Sequence, residues 1–424
     1  MSRGFALAVA AASVAAYLAL GLFGSGDAWW LGDLAVYRAG GADVLAGHGE
    51  LYTVRPGRLP FTYTPWAGLV FTPLAWLPWV AVKALGVAAN LVLVAVATWL
   101  AWGVAGLRGD RVRATALTAA ALLWTEPVQE NLRFGQINLL LLVLVLWDLS
   151  RPRGARLVGV GVGIAAGLKL TPVIFIPYLL LTGRVREAVT ALGTFVGTIA
   201  VAFVVLPREC VDYWGGLFFD DARIGLAQFP GNQSLHGAVA RQFGADPAPG
   251  VLWPALATVV AALGMTLAVR AARRGAELTG MGLCALTALL VSPISWTHHW
   301  VWALPLVILL VDRVRRTRAW PEVVALAALC ALAAAYPMDR PRVAGVLPAG
   351  LVWTVPFGND RELHLRGWQL LAGNAYVIAG VCVLIGCLIS CVIAERSGSG
   401  FHSFARFGAA RRSADRSGSQ GLVP

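Results

Sequence analysis

The chain has little charge. Asp, Glu, Lys and Arg make up 13% of its 424 residues, about half the share of an average soluble domain. That scarcity excludes a water-soluble enzyme built around one apolar core. It also excludes a disordered chain and a coiled coil, both of which need far more charge. Lysine is almost missing: of 34 basic residues only Lys83 and Lys169 are lysine, a bias that fits a GC-rich genome. Cysteine is sparse as well. Cys210, Cys284, Cys330, Cys382, Cys387 and Cys391 show no CxxC or metal-ligand spacing. Five of them lie inside apolar runs and read as small buried hydrophobes. No internal repeat, inverted repeat of the transporter kind or nucleotide-sugar site is visible. Asp220-Asp221 is a bare pair rather than an Asp-x-Asp metal motif.

What is abundant is apolar sequence: 58% of residues are hydrophobic and the mean hydropathy is +0.70. That is enough for roughly ten spans of about 20 residues. Residues 4–24 follow Arg3 and resemble a signal peptide, but no A-x-A-like site precedes a soluble domain, so a retained first span is expected. Further apolar runs at 80–106, 114–126, 137–150, 157–168, 171–182, 187–206, 251–269, 277–292, 300–312, 319–337 and 371–394 bring the expected crossings to twelve. The expected fold class is therefore an all-α polytopic membrane protein, with residues 1–394 as one domain. The Ser/Gly/Arg-rich stretch 395–424 is expected to be a disordered basic tail. The runs 157–168 and 171–182 are split by Lys169-Leu170-Thr171-Pro172 and read as two short helices meeting in a turn. Such a turn is tolerated at membrane depth only inside protein or beside a wet cavity. Residues 65–77 read as an interfacial or re-entrant helix with Trp66, Trp76 and Trp79 at headgroup depth.

Charge then sets the sides. With the N-terminus in the cytoplasm and strict alternation, the cytoplasmic segments hold 21 basic residues against 8 acidic ones, and the outer side holds 13 against 14. Every short cytoplasmic loop is arginine-rich, as the positive-inside rule requires. Both termini are then cytoplasmic, and three long segments (25–79, 207–250 and 338–370) face outward.

The outer segments carry polar clusters that plain connections do not need. Asp33 follows the first span, where an apolar neighbourhood can raise a carboxylate toward general-base use. It fits a helix N-cap equally. Lys169 interrupts an apolar hairpin, as an anion partner or as a snorkelling side chain. Gly231-Asn232-Gln233-Ser234-Leu235-His236 suits sugar hydroxyls, or a polar turn. Trp296, His298 and His299 stand in Ser292-Pro293-Ile294-Ser295-Trp296-Thr297-His298-His299-Trp300. Adjacent histidines with no carboxylate close by suit phosphate or sugar contact better than a metal, and a helix-end cap is the alternative. Glu130, Arg133, Gln136 and Asn138 add a polar strip. One face rich in Asp, Lys, His, amides and Trp describes a site for a polar, anionic, carbohydrate-like substrate at a membrane surface. A lipid-linked sugar transporter would place its charges at the midplane and on both sides instead.

These residues resemble glycosyltransferase family 87. The likeness runs through Asp33-Leu34-Ala35-Val36-Tyr37-Arg38, Leu51-Tyr52 and Pro60-Phe61-Thr62-Tyr63-Thr64-Pro65. It continues in order through Gly135-Gln136-Ile137-Asn138-Leu139, Gly167-Leu168-Lys169-Leu170-Thr171-Pro172, Asn232-Gln233-Ser234-Leu235 and the Ser292–His299 stretch. It covers roughly residues 30–310, and 338–370 match little. The resemblance is to actinobacterial polyprenol-phosphate-mannose-dependent α-(1→2)-mannosyltransferases, with arabinofuranosyltransferases in the same group. It implies a GT-C fold in the plasma membrane with its active site on the outer side. It also implies a polyprenyl-phosphate-mannose donor, a mannosylated glycolipid acceptor and inversion at the sugar carbon; with no Asp-x-Asp motif in the chain, no metal or other cofactor is expected. Asp33 is the implied base. Lys169, His298, His299 and, more weakly, Arg38 are candidates at the departing phosphate. Tyr37, Tyr63, Glu130, Gln136, Asn138, Asn232, Gln233, Ser234, His236 and Trp296 are the candidate substrate contacts.

Overall fold

The computed structural model describes residues 2–23, 29–57, 59–107, 109–244, 250–334, 336–339 and 346–396. The tail beyond Arg396 and Arg108 of the first arginine-rich loop lie outside the described residues. Nearly everything described is helical. A short antiparallel ribbon pairs Tyr336–Asp339 with Val346–Ala349.

All twelve apolar runs contain helix, but they are not twelve full-length crossings. Arg3–Phe23, Trp79–Val104, Val185–Val205, Leu252–Arg273 and Ala375–Arg396 are long and apolar enough to cross a bilayer. The pair Glu126–Phe134 and Asn138–Ser150, bent by 115°, could make a sixth. At 1.5 Å per residue, a helix such as Glu277–Val291 falls short of an apolar core of about 30 Å. Between 11% and 28% of each long span is buried in the protein. The remaining Val, Leu and Ile surface is what a bilayer covers.

Capping explains where the shorter helices begin. Thr64 accepts a hydrogen bond from the Ala67 amide and is followed by Pro65 at the first helical position, a favoured start. The helices Pro65–Val70 and Thr72–Ala75 that follow are too short to cross, in keeping with a non-spanning segment. Asp110 caps Arg111–Leu122, and Ser234 caps Leu235–Phe243. The helix Val160–Leu168 ends at Lys169, whose extended backbone (φ −148°) separates it from the turn at Thr171–Ile174. The expected break between two short helices is therefore present.

The ion pairs respect the charge alternation. On the side assigned to the cytoplasm, Arg184 bridges Glu277 and Glu187, Arg313 pairs with Glu322, and Arg316 with Asp312. On the other side, Arg55 pairs with Asp43 and Glu50, and Arg133 with Glu130. Every pair found among the described residues joins two residues of one side.

Candidate active site

A cavity of about 600 Å³ opens where the polar segments converge. Its walls come from the residues after the first span, the bend between Glu126–Phe134 and Asn138–Ser150, the break at Lys169, residues 213–231, the stretch 292–299 and Trp353. These are the segments that the charge alternation assigns to the outer side.

Asp33 sits in the first turn of the Gly32–Ala46 helix. It does not cap that helix; Leu31, in left-handed conformation, holds the cap position and makes no side-chain cap. The half-buried carboxylate of Asp33 lines the cavity instead. Its Oδ2 accepts from Gln136 Nε2 at 2.6 Å. Burial pushes the Asp33 carboxyl up to about 6, against the opposing pull of the Gln136 hydrogen bond and the Lys169 charge.

Gln136 is oriented from its other end. Its Oε1 accepts from Tyr37 Oη and Tyr63 Oη, both at 3.0 Å, and the two hydroxyls are 2.7 Å apart. A carboxylate can only accept, so the Gln136 amide nitrogen must face Asp33. Tyr37 lies one helical turn beyond Asp33 and so shares its face. It is buried beneath the cavity wall and supports Gln136 from behind.

Lys169 Nζ donates to Asn138 Oδ1 at 3.0 Å and meets His299 Nε2 at 3.1 Å. It lies 5.4 Å from the centroid of the Tyr63 ring. Burial brings the Lys169 ammonium down to about 8, with Asp33 holding it up. Asn138 donates weakly to Gln136 Oε1 at 3.4 Å. The carboxylate and the ammonium are thus joined through two side-chain amides. Behind them, Asn131 Nδ2 donates to Asn90 Oδ1 at 2.9 Å, and Asn138 Nδ2 to Asn131 Oδ1 at 3.3 Å. Buried polar groups that satisfy one another in this way fix geometry. Asn90 escaped the sequence reading because asparagine inside an apolar run carries no signature of its own, and Asn131 because it stands beside the charged Glu130 and Arg133.

Both histidines line the cavity, but neither serves as a cation. Burial and the nearby Lys169 charge hold both imidazoles well below the ordinary histidine range. His299 is therefore a neutral acceptor for Lys169. His298 Nε2 is buried without a hydrogen-bond partner, which leaves it available to a ligand. Glu130 also lines the cavity, 3.6 Å from Arg133 Nη1. Trp296 and Trp353 stand on either side of Phe229, at 6.0 and 5.7 Å between ring centroids, and form an aromatic wall.

Several sequence candidates lie elsewhere. Arg38 is five residues beyond Asp33, and 100° per residue turns it to another face of the helix. It binds the Leu77 carbonyl through Nε and Nη2, away from the cavity. Asn232, Gln233 and Ser234 are fully buried. Asn232 Nδ2 donates to the Ala227 and Pro293 carbonyls, and its Oδ1 accepts from the Ser295 amide. Gln233 ties Pro230 and Gly373 to the Tyr376 amide, while Ser234 caps its own helix. Backbone groups occupy the polar atoms of these side chains, as in a structural turn. His236 stacks on Trp253 at 4.6 Å, outside the cavity. Asn138 supports Lys169 from below without lining the cavity.

A carboxyl raised by burial, a lysine and an aromatic wall around one cavity suit a membrane-bound group-transfer enzyme. Residues 61–293 match the model of glycosyltransferase family 87, and the chain belongs to that family. It is a glycosyltransferase. It is similar to a polyprenol-phosphate-mannose-dependent alpha-(1-2)-phosphatidylinositol mannoside mannosyltransferase of Mycobacterium tuberculosis, with 34% identity over 83% of each chain. The protein of that name from Mycolicibacterium smegmatis is 32% identical over 87% of this chain and 85% of its own. A phosphatidylinositol pentamannoside mannosyltransferase of Mycobacterium tuberculosis is 32% identical over 83% of this chain and 80% of its own. No solved structure matches the chain.

Proposed function

We propose that this protein transfers mannose from a polyprenyl-phosphate-mannose donor to a mannoside glycolipid, forming an α-(1→2) linkage with inversion. The reading takes the fold as GT-C-type, with residues 1–394 as one domain of about twelve membrane passes. The shorter helices complete their passes through the breaks beside the cavity. The cavity then faces the outer leaflet of the plasma membrane, and both termini face the cytoplasm. The arginine-rich loops support that orientation, and the same-side pairing of charges supports the alternation.

The observation that carries the proposal is the Asp33–Gln136–Asn138–Lys169 connection on one cavity wall. Inversion needs one displacement. Asp33 takes the proton of the acceptor 2-hydroxyl as its oxygen attacks the anomeric carbon. The bond from that carbon to the phosphate oxygen breaks, and its electron pair leaves with the polyprenyl phosphate. A base with a pKa near 6 is ionised at neutral pH yet still accepts a proton in the transition state. The departing dianion needs preorganised positive charge, which Lys169 supplies. His298 Nε2 is positioned for a substrate hydroxyl, and the wall of Trp296 and Trp353 offers sugar rings an apolar face. The names of the mycobacterial relatives support both the donor and the linkage.

The test uses purified protein in nanodiscs with synthetic mannosyl-phosphoryl-polyprenol and a short α-mannoside lipid. Wild type should yield α-(1→2) product and Asp33→Asn none. Product from the arabinosyl donor alone would replace mannose with arabinose, and equal product from both proteins would remove Asp33 as base.

A further inference from the structure

Arg223 is a guanidinium on the cavity wall with no part in the chemistry above. It ends the short turn Asp221–Arg223 and lines the same cavity as Lys169. Its Nη1 donates to the Leu217 carbonyl at 3.1 Å and its Nη2 to the Phe61 carbonyl at 2.9 Å. The guanidinium carbon lies 5.5 Å from the Tyr52 ring centroid. Two carbonyls, 6 and 162 residues away from Arg223 in the chain, therefore hold the group in place. Among the described residues no carboxylate forms an ion pair with it. Asp220 lines the cavity too, but as an exposed side chain. A guanidinium carries five N–H groups, so most of them remain open to a ligand.

The surroundings narrow the ligand class. Leu217, Phe218 and Ile224 line the cavity beside Arg223. Phe218 and Ile224 are 45% and 41% exposed, and the neighbouring Phe219 and Leu226 are 77% and 58% exposed. Exposed aromatic and aliphatic groups flanking an arginine, in a protein that spans a membrane, describe an interfacial segment. Its apolar groups enter the acyl region and its cation stays at phosphate depth. Arginine meets phosphate oxygens through paired N–H groups, and a preorganised fork loses little freedom in doing so.

We propose that Arg223 receives the phosphate of a polyprenyl-phosphate lipid at the mouth of the cavity, with Leu217, Phe218 and Ile224 carrying the first isoprene units. The inference rests on the lipid-phosphate donor of the proposed function. It gives the cavity a second cation where Arg38 supplies none. The same chemistry could serve the phosphate of a phosphatidylinositol acceptor, and the test separates the two.

Binding of decaprenyl phosphate and of phosphatidylinositol is measured directly on the full protein in phosphatidylcholine nanodiscs, without turnover. The proteins are wild type, Arg223→Gln and Arg223→Lys, each checked for an unchanged size-exclusion profile. Arg223→Gln should weaken decaprenyl phosphate binding about tenfold or more, leave phosphatidylinositol unchanged, and be partly rescued in Arg223→Lys. Decaprenyl phosphate affinity within about twofold of wild type in Arg223→Gln would overturn the inference. So would a loss confined to phosphatidylinositol, which would assign Arg223 to the acceptor. A wild-type protein that does not bind decaprenyl phosphate would overturn the lipid-phosphate donor itself. Should Arg223→Gln fail to fold, Arg223→Lys carries the comparison, because it keeps the charge and loses the fork.

Discussion

Asp33 Oδ2 accepts from Gln136 Nε2 at 2.6 Å, and the other end of that amide is held by two tyrosine hydroxyls. The carboxylate is therefore aimed by a side chain that cannot turn over. Replacing Asp33 by Asn keeps the shape and an acceptor oxygen for Gln136 but removes the base. Transfer should fall by about 10² to 10⁴, with no change in melting temperature larger than a degree or two. Product formation and thermal unfolding of the same sample check this.

The pH profile follows from the two charged groups. Asp33 works as a carboxylate and titrates at about 6, so activity is lost as pH falls through that value. Lys169 works as an ammonium and titrates at about 8, so activity is lost as pH rises through it. Gln136→Leu removes a hydrogen bond that favours the charged carboxylate, which raises the Asp33 value further. The acid limb should therefore move to higher pH. Lys169→Gln should move it in the same direction by removing a positive charge. An acid limb that stays in place in both variants would mean that Asp33 is not the titrating group.

Removing His298 should behave differently. Its ring is neutral and its Nε2 unpartnered, so His298→Ala should lower turnover about tenfold, the scale of one hydrogen bond to a substrate. It should not shift the acid limb. His298→Gln should recover part of the loss, read in steady-state kinetics at several pH values.

Asn232 makes its contribution to folding. Its amide satisfies two carbonyls and one backbone N–H in a buried turn. Leaving such groups without partners costs about 1–3 kcal/mol each. Asn232→Ala should lower the melting temperature markedly, while the protein that remains folded keeps the donor KM of wild type. Arg38→Gln is the matching control for the phosphate site: its donor KM should stay within about twofold of wild type.

Much of the site was legible from charge and order alone. The charge alternation assigns Asp33, Tyr63, Gln136, Lys169, Trp296, His298 and His299 to one side, and they share a cavity. What the sequence hid is three-dimensional. Arg38 and Asp33 are neighbours in the chain, yet the helix turns one toward Leu77 and the other toward the cavity. Arg223 lacks any signature until the Phe61 and Leu217 carbonyls fix it on the wall. The amides of Asn232 and Gln233 read the same whether they face a sugar or a backbone carbonyl. Crossing number is legible only in part: hydropathy marks apolar stretches but not whether a helix within one is long enough to traverse the bilayer unaided.

Gly135 stands at the bend with φ +68°, and a Cβ there would come within 2.7 Å of Leu34 Cβ. Leu31, in turn, donates its amide to the Arg133 carbonyl at 2.7 Å. The carrier of the carboxylate and the carrier of its amide partner are thus keyed into one another at the level of the main chain. The separation of the Asp33 carboxyl from the amide that orients it is thereby built into the backbone, like the gap of a spanner.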